Sequence, residues 1–310
     1  MTTPRFSIVI TACNQRAFIK DAVDSALSLP NVEREIIVVD DASTDGTQEI
    51  LKQYGDAIRL VCHASHQGSG AARNSGAALA IGQYLMFLDG DDTFLPWALD
   101  VYASIVRAKN PKMILAPMRW FKGTLPVLQP GDTPQEIRTV EYQDYLRKDR
   151  SFANSASALV VDRQSFQAAK GWSTDLWPMN DQDFTLRLGD CGRTIHILSP
   201  PTTFHRSHPA NTVKVVPPYI PSLFRIMHNE RAGEYPGGDR RSVERRAVIG
   251  SLALFWAKRA AKAGLYGTAL KLLARCWPLT FLAAWRRLSV AIKGRQPVET
   301  FAIIKQDTSQ

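Results

Sequence analysis

The sequence predicts an α/β fold: a mostly parallel sheet flanked by helices, with a helical extension at the C-terminal end. Three observations predict it. Short β-branched runs alternate with segments of helical spacing over residues 6–89. Several of those runs end in polar residues followed by turn formers. Over residues 240–293, apolar residues recur at helical spacing among many Arg and Lys. Strands that are apolar throughout belong in sheets covered on both faces, and strand–helix alternation makes neighbouring strands parallel.

Phe6–Ala12 (FSIVITA) reads as a buried strand. Asn14 is placed to cap the following helix, in which Phe18, Ile19, Ala22, Val23, Ala26 and Leu27 recur at helical spacing; Pro30 and Asn31 end it. Glu35–Asp41 is a second buried strand closing on two acids, Thr47–Tyr54 a helix, and Ile58–Cys62 a third strand. Gly70–Ile81 is a helix of small residues, and Tyr84–Asp89 a fourth strand. Residues 122–150, with Pro126, Pro130, Gly131 and Pro134, read as a surface excursion. Ala156–Val161 resumes as a strand, Asp181–Leu188 is a short helix, and Thr194–Leu198 a strand. Prolines 200, 201, 209, 217, 218 and 221 break the next stretch into loop. Residues 240–293 read as helices with turns near Gly264–Gly267 and Pro278.

Composition bounds the function. The 310 residues are 45% hydrophobic and 22% charged, enough to bury a core, which excludes a disordered chain. The net charge of +9 suits an anionic partner. Acids outnumber bases over residues 1–100, so the excess lies in the C-terminal part, with Arg240, Arg241, Arg245, Arg246, Lys258, Arg259, Lys262, Arg286 and Arg287. That region carries no recognisable nucleic-acid-binding motif, and no nucleic-acid partner is expected. Cys13, Cys62, Cys191 and Cys276 lie far apart, without a CxxC pair, and read as isolated buried thiols of a reducing compartment. No secretory signal opens the chain, and no apolar run approaches the roughly 20 residues of a spanning helix. The expected location is the cytoplasm, with a peripheral place on the cytoplasmic face of a membrane compatible with the basic C-terminal helices. A helical hairpin packed on the preceding domain, its charges merely solvated, is the plainer reading of the same stretch.

Ligands of such sheets bind beyond the C-terminal ends of the strands. Thr11, Asp40/Asp41 and Asp89/Asp91 lie there. In VVDDASTDGT a carboxylate can accept a nucleobase N–H or bind ribose hydroxyls, or Asp45 or Thr47 can cap a helix. In FLDGDD three acids follow an apolar strand, and clustered carboxylates repel one another unless a cation neutralises them. A hard divalent ion held by one or two carboxylates and substrate phosphates fits, with Asp91 on the metal and Asp89 on ribose or a metal-bound water; a solvated acidic turn is the plainer reading. GSGAARNSG is not a dinucleotide loop, because Arg73 takes the third glycine position; it reads either as a tight loop aiming Arg73 at base or phosphate, or as a packed helix. Asp181, in WPMNDQDFTLRL, is either a helix cap or a general base. Trp172 and Trp177 nearby offer aromatic faces to an acceptor sugar, or core packing.

The segments SIVITACNQRAFIKDAVDSAL…IIVVDDASTDGT, GSGAARNSGAALAIGQYLMFLDGDD and NDQDFTLRL occur in one order, and from about Ser7 to His208 the chain resembles family 2 glycosyltransferases of the GT-A fold. The resemblance implies a Rossmann-like catalytic domain over 1–225 (donor half about 1–120, acceptor half about 121–225), followed by the basic, amphipathic hairpin at 240–295. It implies an inverting transfer of a sugar from a nucleotide-diphosphate donor, UDP-sugar favoured, to a carbohydrate or lipid-linked acceptor in cell-surface polysaccharide or lipopolysaccharide synthesis. Thr11, Asp41, Arg73 and Asp89 would hold the donor. Asp91 would bind Mn²⁺ or Mg²⁺, with Asp89 and His208 as further ligand candidates and Arg206 beside the donor phosphates. Asp181 would be the catalytic base, with Trp172 and Asn180 toward the acceptor. Asn180 departs from the Glu that many relatives carry, which puts its acceptor contact in doubt. Two other readings stand beside this one: a non-catalytic, transferase-like binding subunit, and a phosphatase of the haloacid dehalogenase type using Asp89 and Asp91 in D-x-D-x-T.

Overall fold

The computed structural model describes residues 6–29, 34–129, 131–150, 155–209, 211 and 215–304. In chain order its strands are β1 (Phe6–Ala12), β2 (Arg34–Asp40), β3 (Arg59–Cys62), β4 (Tyr84–Asp89), β5 (Thr93–Phe94), β6 (Met113–Leu115), β7 (Met118–Phe121), β8 (Glu136–Tyr142), β9 (Leu159–Asp162), β10 (Thr194–Ser199), β11 (Thr203–Arg206) and β12 (Glu299–Ala302). The helices are α1 (Ile19–Leu27), α2 (Thr47–Lys52), α3 (Ser69–Leu79), α4 (Ala98–Lys109), α5 (Arg163–Ala168), α6 (Asn180–Arg187), α7 (Tyr219–Arg231), α8 (Ser242–Lys262) and α9 (Tyr266–Lys293).

Nine strands form one sheet in the order β12-β8-β10-β6-β9-β4-β1-β2-β3, and β5-β11-β7 form a small second sheet. The half β4-β1-β2-β3 is parallel throughout. The other half is mixed: β9 runs antiparallel between β4 and β6, and β8 runs antiparallel to both β10 and β12. Every residue of β1 is buried. Its alternation feeds two cores, Ile8 and Ile10 joining the residues of α1 and α4, and Val9 joining those of α3 and the C-terminal helices. Burial on both faces is why this strand reads as one continuous apolar run.

The C-terminal helices pack as a pair and join the core through α7. Tyr219 stacks on Trp256 with ring centroids 3.7 Å apart, and Arg245 of α8 makes a buried ion pair with Glu230 of α7 at 2.6 Å. Gly250 marks the crossing of α8 and α9, where a Cβ would lie 1.9 Å from the Leu279 carbonyl oxygen. No side chain fits there.

Several expectations are corrected. Residues 122–150 contain β8, whose Ile137, Val140 and Tyr142 are buried, so the stretch is not only a surface excursion. The proline-rich stretch after residue 200 contains β11 and the start of α7; Pro221 sits in the first turn of α7, where its missing N–H costs nothing. Pro278 makes no turn, because α9 runs through it. Asn14 is no helix cap: Phe18 stands at that position, while the Asn14 side chain accepts the Thr44 N–H at 2.8 Å. The helix ends at Leu27; Pro30 and Asn31 lie outside the described residues. Of the cysteines only Cys276 is buried, and Cys62 is exposed. β12, at the sheet edge, was not expected. Among the described residues no helix is long and apolar enough to cross a membrane.

Candidate active site

The C-terminal ends of β2, β1 and β4 lie side by side, which sets Asp40 beside Ala12 on one edge of β1 and Asp89 beside Thr11 on the other. The turn after β4 closes tightly on β1, with the Gly90 N–H donating to the Thr11 carbonyl at 2.9 Å. Thr11 itself is buried.

At the β2 end, Asp41 is saturated with donors. His63 Nδ1 lies 2.7 Å from Oδ1, the Gln67 and Gly68 N–H groups donate at 2.9 and 2.7 Å, and His66 Nδ1 lies 2.8 Å from Oδ2. Burial raises its pKa, but these hydrogen bonds, His63 foremost, outweigh that and hold it below the usual carboxylate range. Asp41 thus fixes the loop that leads into α3. Cys13, Asp41 and His66 also place ligand atoms within 4.8 Å of one another. Burial and then the nearby carboxylates push the Cys13 thiol up. Asp45 does serve the start of α2, accepting the Thr47 N–H at 3.0 Å.

At the β4 end the carboxylates crowd. Asp92 is fully buried and accepts the Arg206 N–H at 3.1 Å and a bond from His205 Nδ1 at 3.0 Å, so it ties the turn to β11. Burial opposes charge on His205, yet the Asp92 bond outweighs it and raises its pKa. Asp91 faces His208, whose Nε2 lies 2.8 Å from Oδ2. Burial, then Asp92 and Asp89, push the Asp91 carboxyl up to about 6. Asp91 and His208 are donors of the kind a divalent cation such as Mn²⁺ or Mg²⁺ takes, while Asp92 is bonded to β11 and Asp89 to Arg73; among the described residues only Cys13, Asp41 and His66 bring three ligand atoms within 4.8 Å of one another. Arg206 does not reach for phosphates. It is buried, paired with Asp21 at 2.6 Å, bonded to the Gly123 and Asp91 carbonyls, and stacked between Phe18 and Phe121.

Asp181 meets Arg73 across 108 residues of sequence. Arg73, on the first turns of α3, is buried between Asp89 (2.7 Å) and Asp181 (3.4 Å), with its guanidinium 4.7 Å from the Trp172 ring centroid. It therefore joins two acids rather than aiming at an open phosphate site, and the helix reading of its segment holds too. Asp181 is not a cap: α6 starts at Asn180 with Met179 before it and no side-chain capping bond. Burial raises the Asp181 carboxyl to about 6, with Arg73 pulling it down and Asp89 pushing it up.

Two acceptor-side expectations are corrected. Trp172 is 2% exposed and packs against Phe87 and Phe184, so it offers no face to a ligand. Asn180 is buried and donates to Ser69 Oγ at 3.1 Å, pinning α6 to α3. Gly70 permits this approach, since a Cβ there would lie 2.2 Å from the Ser173 carbonyl oxygen. Trp177, in contrast, is 56% exposed beside a cavity of about 330 Å³ that Asp175, Pro218 and Arg225 also line. The partnerships of His63, His66 and His205, and the reach of Tyr219 toward Asp181, had no local signature in the sequence. The one available cue was that His63 and His66 follow the end of β3 and His208 the end of β11, while His205 lies within β11.

A family profile described as Glycosyl transferase family 2 matches residues 7–166, just over half of the chain. The chain belongs to glycosyl transferase family 2. Among relatives of this family 2 chain, TuaG of Bacillus subtilis, named for teichuronic acid biosynthesis, is 40% identical over 92 residues, 29% of this chain and 36% of TuaG. The succinoglycan biosynthesis protein ExoO of Rhizobium meliloti is 37% identical over 94 residues, 30% of this chain and 27% of ExoO. EpsH of Bacillus subtilis is 26% identical over 69% of this chain and 64% of its own. The matches thus span less than two thirds of each relative's length. The fold is that of GT-A enzymes: S. aureus TarS 1-349, solved with UDP-GlcNAc, superposes with a TM-score of 0.63 at 16% identity, covering 83% of this chain and 72% of that one. A Pyrobaculum calidifontis mannosyltransferase solved with GDP-Man and Mn²⁺ gives 0.50 at 17% identity, over 94% and 87%.

Proposed function

We propose that this family 2 chain is an inverting glycosyltransferase that moves a sugar from a nucleotide-diphosphate donor, a UDP-sugar by preference, to a carbohydrate or lipid-linked acceptor in cell-surface polysaccharide or lipopolysaccharide synthesis. The observation that carries the reading is Asp181. It is a carboxylate with a pKa near 6, joined through Arg73 to Asp89 at the strand ends where a nucleotide would lie. A base of that proton affinity is ionised at neutral pH yet still binds a proton well in the transition state.

In this reading Asp91, Asp89 and His208 hold Mn²⁺ or Mg²⁺, and the cation when bound neutralises the diphosphate that leaves. Asp181 takes the proton from the acceptor hydroxyl as its oxygen attacks the anomeric carbon from the face opposite the nucleotide. The hydroxyl oxygen gains the glycosidic bond, the bond to the diphosphate breaks, and the anomeric configuration inverts. One carboxylate base suffices because the leaving group needs no protonation, unlike the two carboxyl groups of most glycosidases. Arg73 is a positioning residue that fixes Asp181 against Asp89. Trp177 is the acceptor-side aromatic, with Arg225 and Asp175 beside it for hydroxyl groups. The names of TuaG and ExoO and the ligands named for TarS and the mannosyltransferase support the polymer setting and the donor class.

The test is a calorimetric titration with UDP, GDP and dTDP, each with and without Mn²⁺, on wild type and Asp91→Ala. The reading expects one nucleotide to bind tightly, dependent on both metal and Asp91. Binding of none of them would overturn it, and hydrolysis of p-nitrophenyl phosphate would then favour the phosphatase. Binding without turnover of the corresponding nucleotide sugar would leave a non-catalytic subunit.

A further inference from the structure

Along α9, Tyr266, Leu270, Leu273, Trp277, Phe281, Trp285, Leu288 and Ile292 are spaced by three or four residues, so they line one side of the helix. All eight are exposed, from 40% at Leu273 to 77% at Ile292. They are not the packing face. That face is Ala269, Leu272, Cys276, Thr280 and Ala283, which are buried. The stripe therefore runs about seven turns in the open, and Trp277 and Phe281 lie next to each other along it, at 6.1 Å between ring centroids. Contiguous exposed apolar surface of this extent marks a docking site.

The surrounding charge names the occupant. Between Lys258 and Val298 there are nine Arg and Lys and no Asp or Glu. Lys262, Lys271, Arg275, Arg287, Lys293 and Arg295 are exposed around the stripe. A second copy docking through the same face would set these exposed bases against their own like. An apolar protein groove would have no use for them. A bilayer with anionic headgroups answers both features, taking Leu, Ile and Phe below the headgroups, Trp and Tyr at their level, and the bases against lipid phosphate.

We propose that the exposed face of α9 docks flat on the surface of an anionic phospholipid bilayer. The helix lies on the membrane and does not cross it. This surface stands independently of the sugar-transfer reading, since its test measures partition and not activity.

The full chain is mixed with vesicles of phosphatidylcholine alone or with 30% phosphatidylglycerol, and binding is read by flotation and by tryptophan fluorescence. Wild type is expected to float with the anionic vesicles, with a blue shift, at least tenfold more tightly than with neutral ones, and to be released by salt. Trp277→Ser/Trp285→Ser and Lys271→Glu/Lys293→Glu are each expected to weaken partition at least tenfold while melting and nucleotide binding stay as in wild type. Wild-type partition that is absent, equal for the two lipids, or unchanged in both folded variants overturns the proposal. So does a wild-type dimer, by light scattering, that the tryptophan variant turns into a monomer.

Discussion

Asp41 and Asp181 lie at opposite ends of the candidate site, and the protein treats their charges in opposite ways. Asp41 receives two backbone N–H groups and two imidazoles, so its ionised form is favoured beyond that of a carboxylate in water. Asp181 is half-buried with the Arg73 guanidinium and the Ala156 N–H beside it, and burial outweighs both, so its proton affinity rises to about 6. The first arrangement spends a charge on holding a loop still. The second keeps a proton acceptor poised at neutral pH at some cost to the fold. In the proposed reading, the difference separates an acid that builds a site from one that acts in it.

The sharpest way to break this comparison is Asp181→Asn. The expected outcome is a 10²–10⁴-fold loss of kcat, in the range removed with a general base, and unchanged nucleotide affinity by calorimetry. Loss of nucleotide affinity instead would make Asp181 a donor ligand. Next, Asp91→Ala is expected to weaken metal-dependent nucleotide binding by about 100-fold, visible as the loss of any difference between titrations with and without Mn²⁺.

The pH profile should follow the raised group. Only ionised Asp181 accepts a proton, so log kcat is expected to rise by about one per pH unit below about 6 and to level off above it. A profile flat down to pH 5 would remove Asp181 from the role.

Stability tests the same contrast with opposite signs. The folded pKa of Asp181 lies above its unfolded value, so its contribution is fully present below about pH 4 and is lost as pH rises through about 6. Asp181→Asn should therefore melt higher than wild type at pH 8, by roughly 1–3 kcal/mol, with the gap closing toward pH 4. The folded pKa of Asp41 is lowered, so its stabilisation is present above about pH 4 and is lost as pH falls through the folded value. Asp41→Asn should melt lower than wild type at pH 8, by about 2–3 kcal/mol, because an amide sets an N–H against donors. Thermal melts of the two variants would decide. The smallest effect expected is Trp177→Ala, an increase of about five- to tenfold in acceptor KM with donor KM unchanged.

The parallel half of the sheet was legible because its strands carry their own evidence. In β1, β2 and β4, double-sided burial writes an unbroken apolar run ending in the polar residues of the site. β8 was not legible. Its EIRTVEY alternates, with Glu136 and Arg138 exposed, and nothing local distinguishes that from a surface loop until β10 and β12 pair with it. Pro278 misled for a similar reason: a proline costs an isolated helix a hydrogen bond, but α9 is backed by α8 at Gly250 and continues. The acids of the site could be read individually. That Arg73 sits between Asp89 and Asp181 could not, since one residue of that contact lies 108 positions from its partner and no spacing rule reaches so far. Trp172 and Trp177 were equal candidates in sequence, and only burial separates them.

The short strand β12 changes what kind of object the C-terminal pair is. After α9 the chain returns to the sheet: Glu299–Ala302 pair with β8, Glu299 bonds Lys109 at 2.6 Å, Arg150 holds the Gln296 carbonyl at 2.9 Å, and Phe301 reaches one of the two cores. Beside it, at the same open end of the hairpin, where Arg286 reaches the Glu244 carbonyl, Arg245 is paired with Glu230. The pair is thus held at its root through both of its chain ends, with the exposed turn at Gly264 as its tip. A load on α9 is shared by the far edge of the sheet and by α7, whose Tyr219 stacks on Trp256. Whatever α9 rests on, its tilt fixes the tilt of the whole sheet.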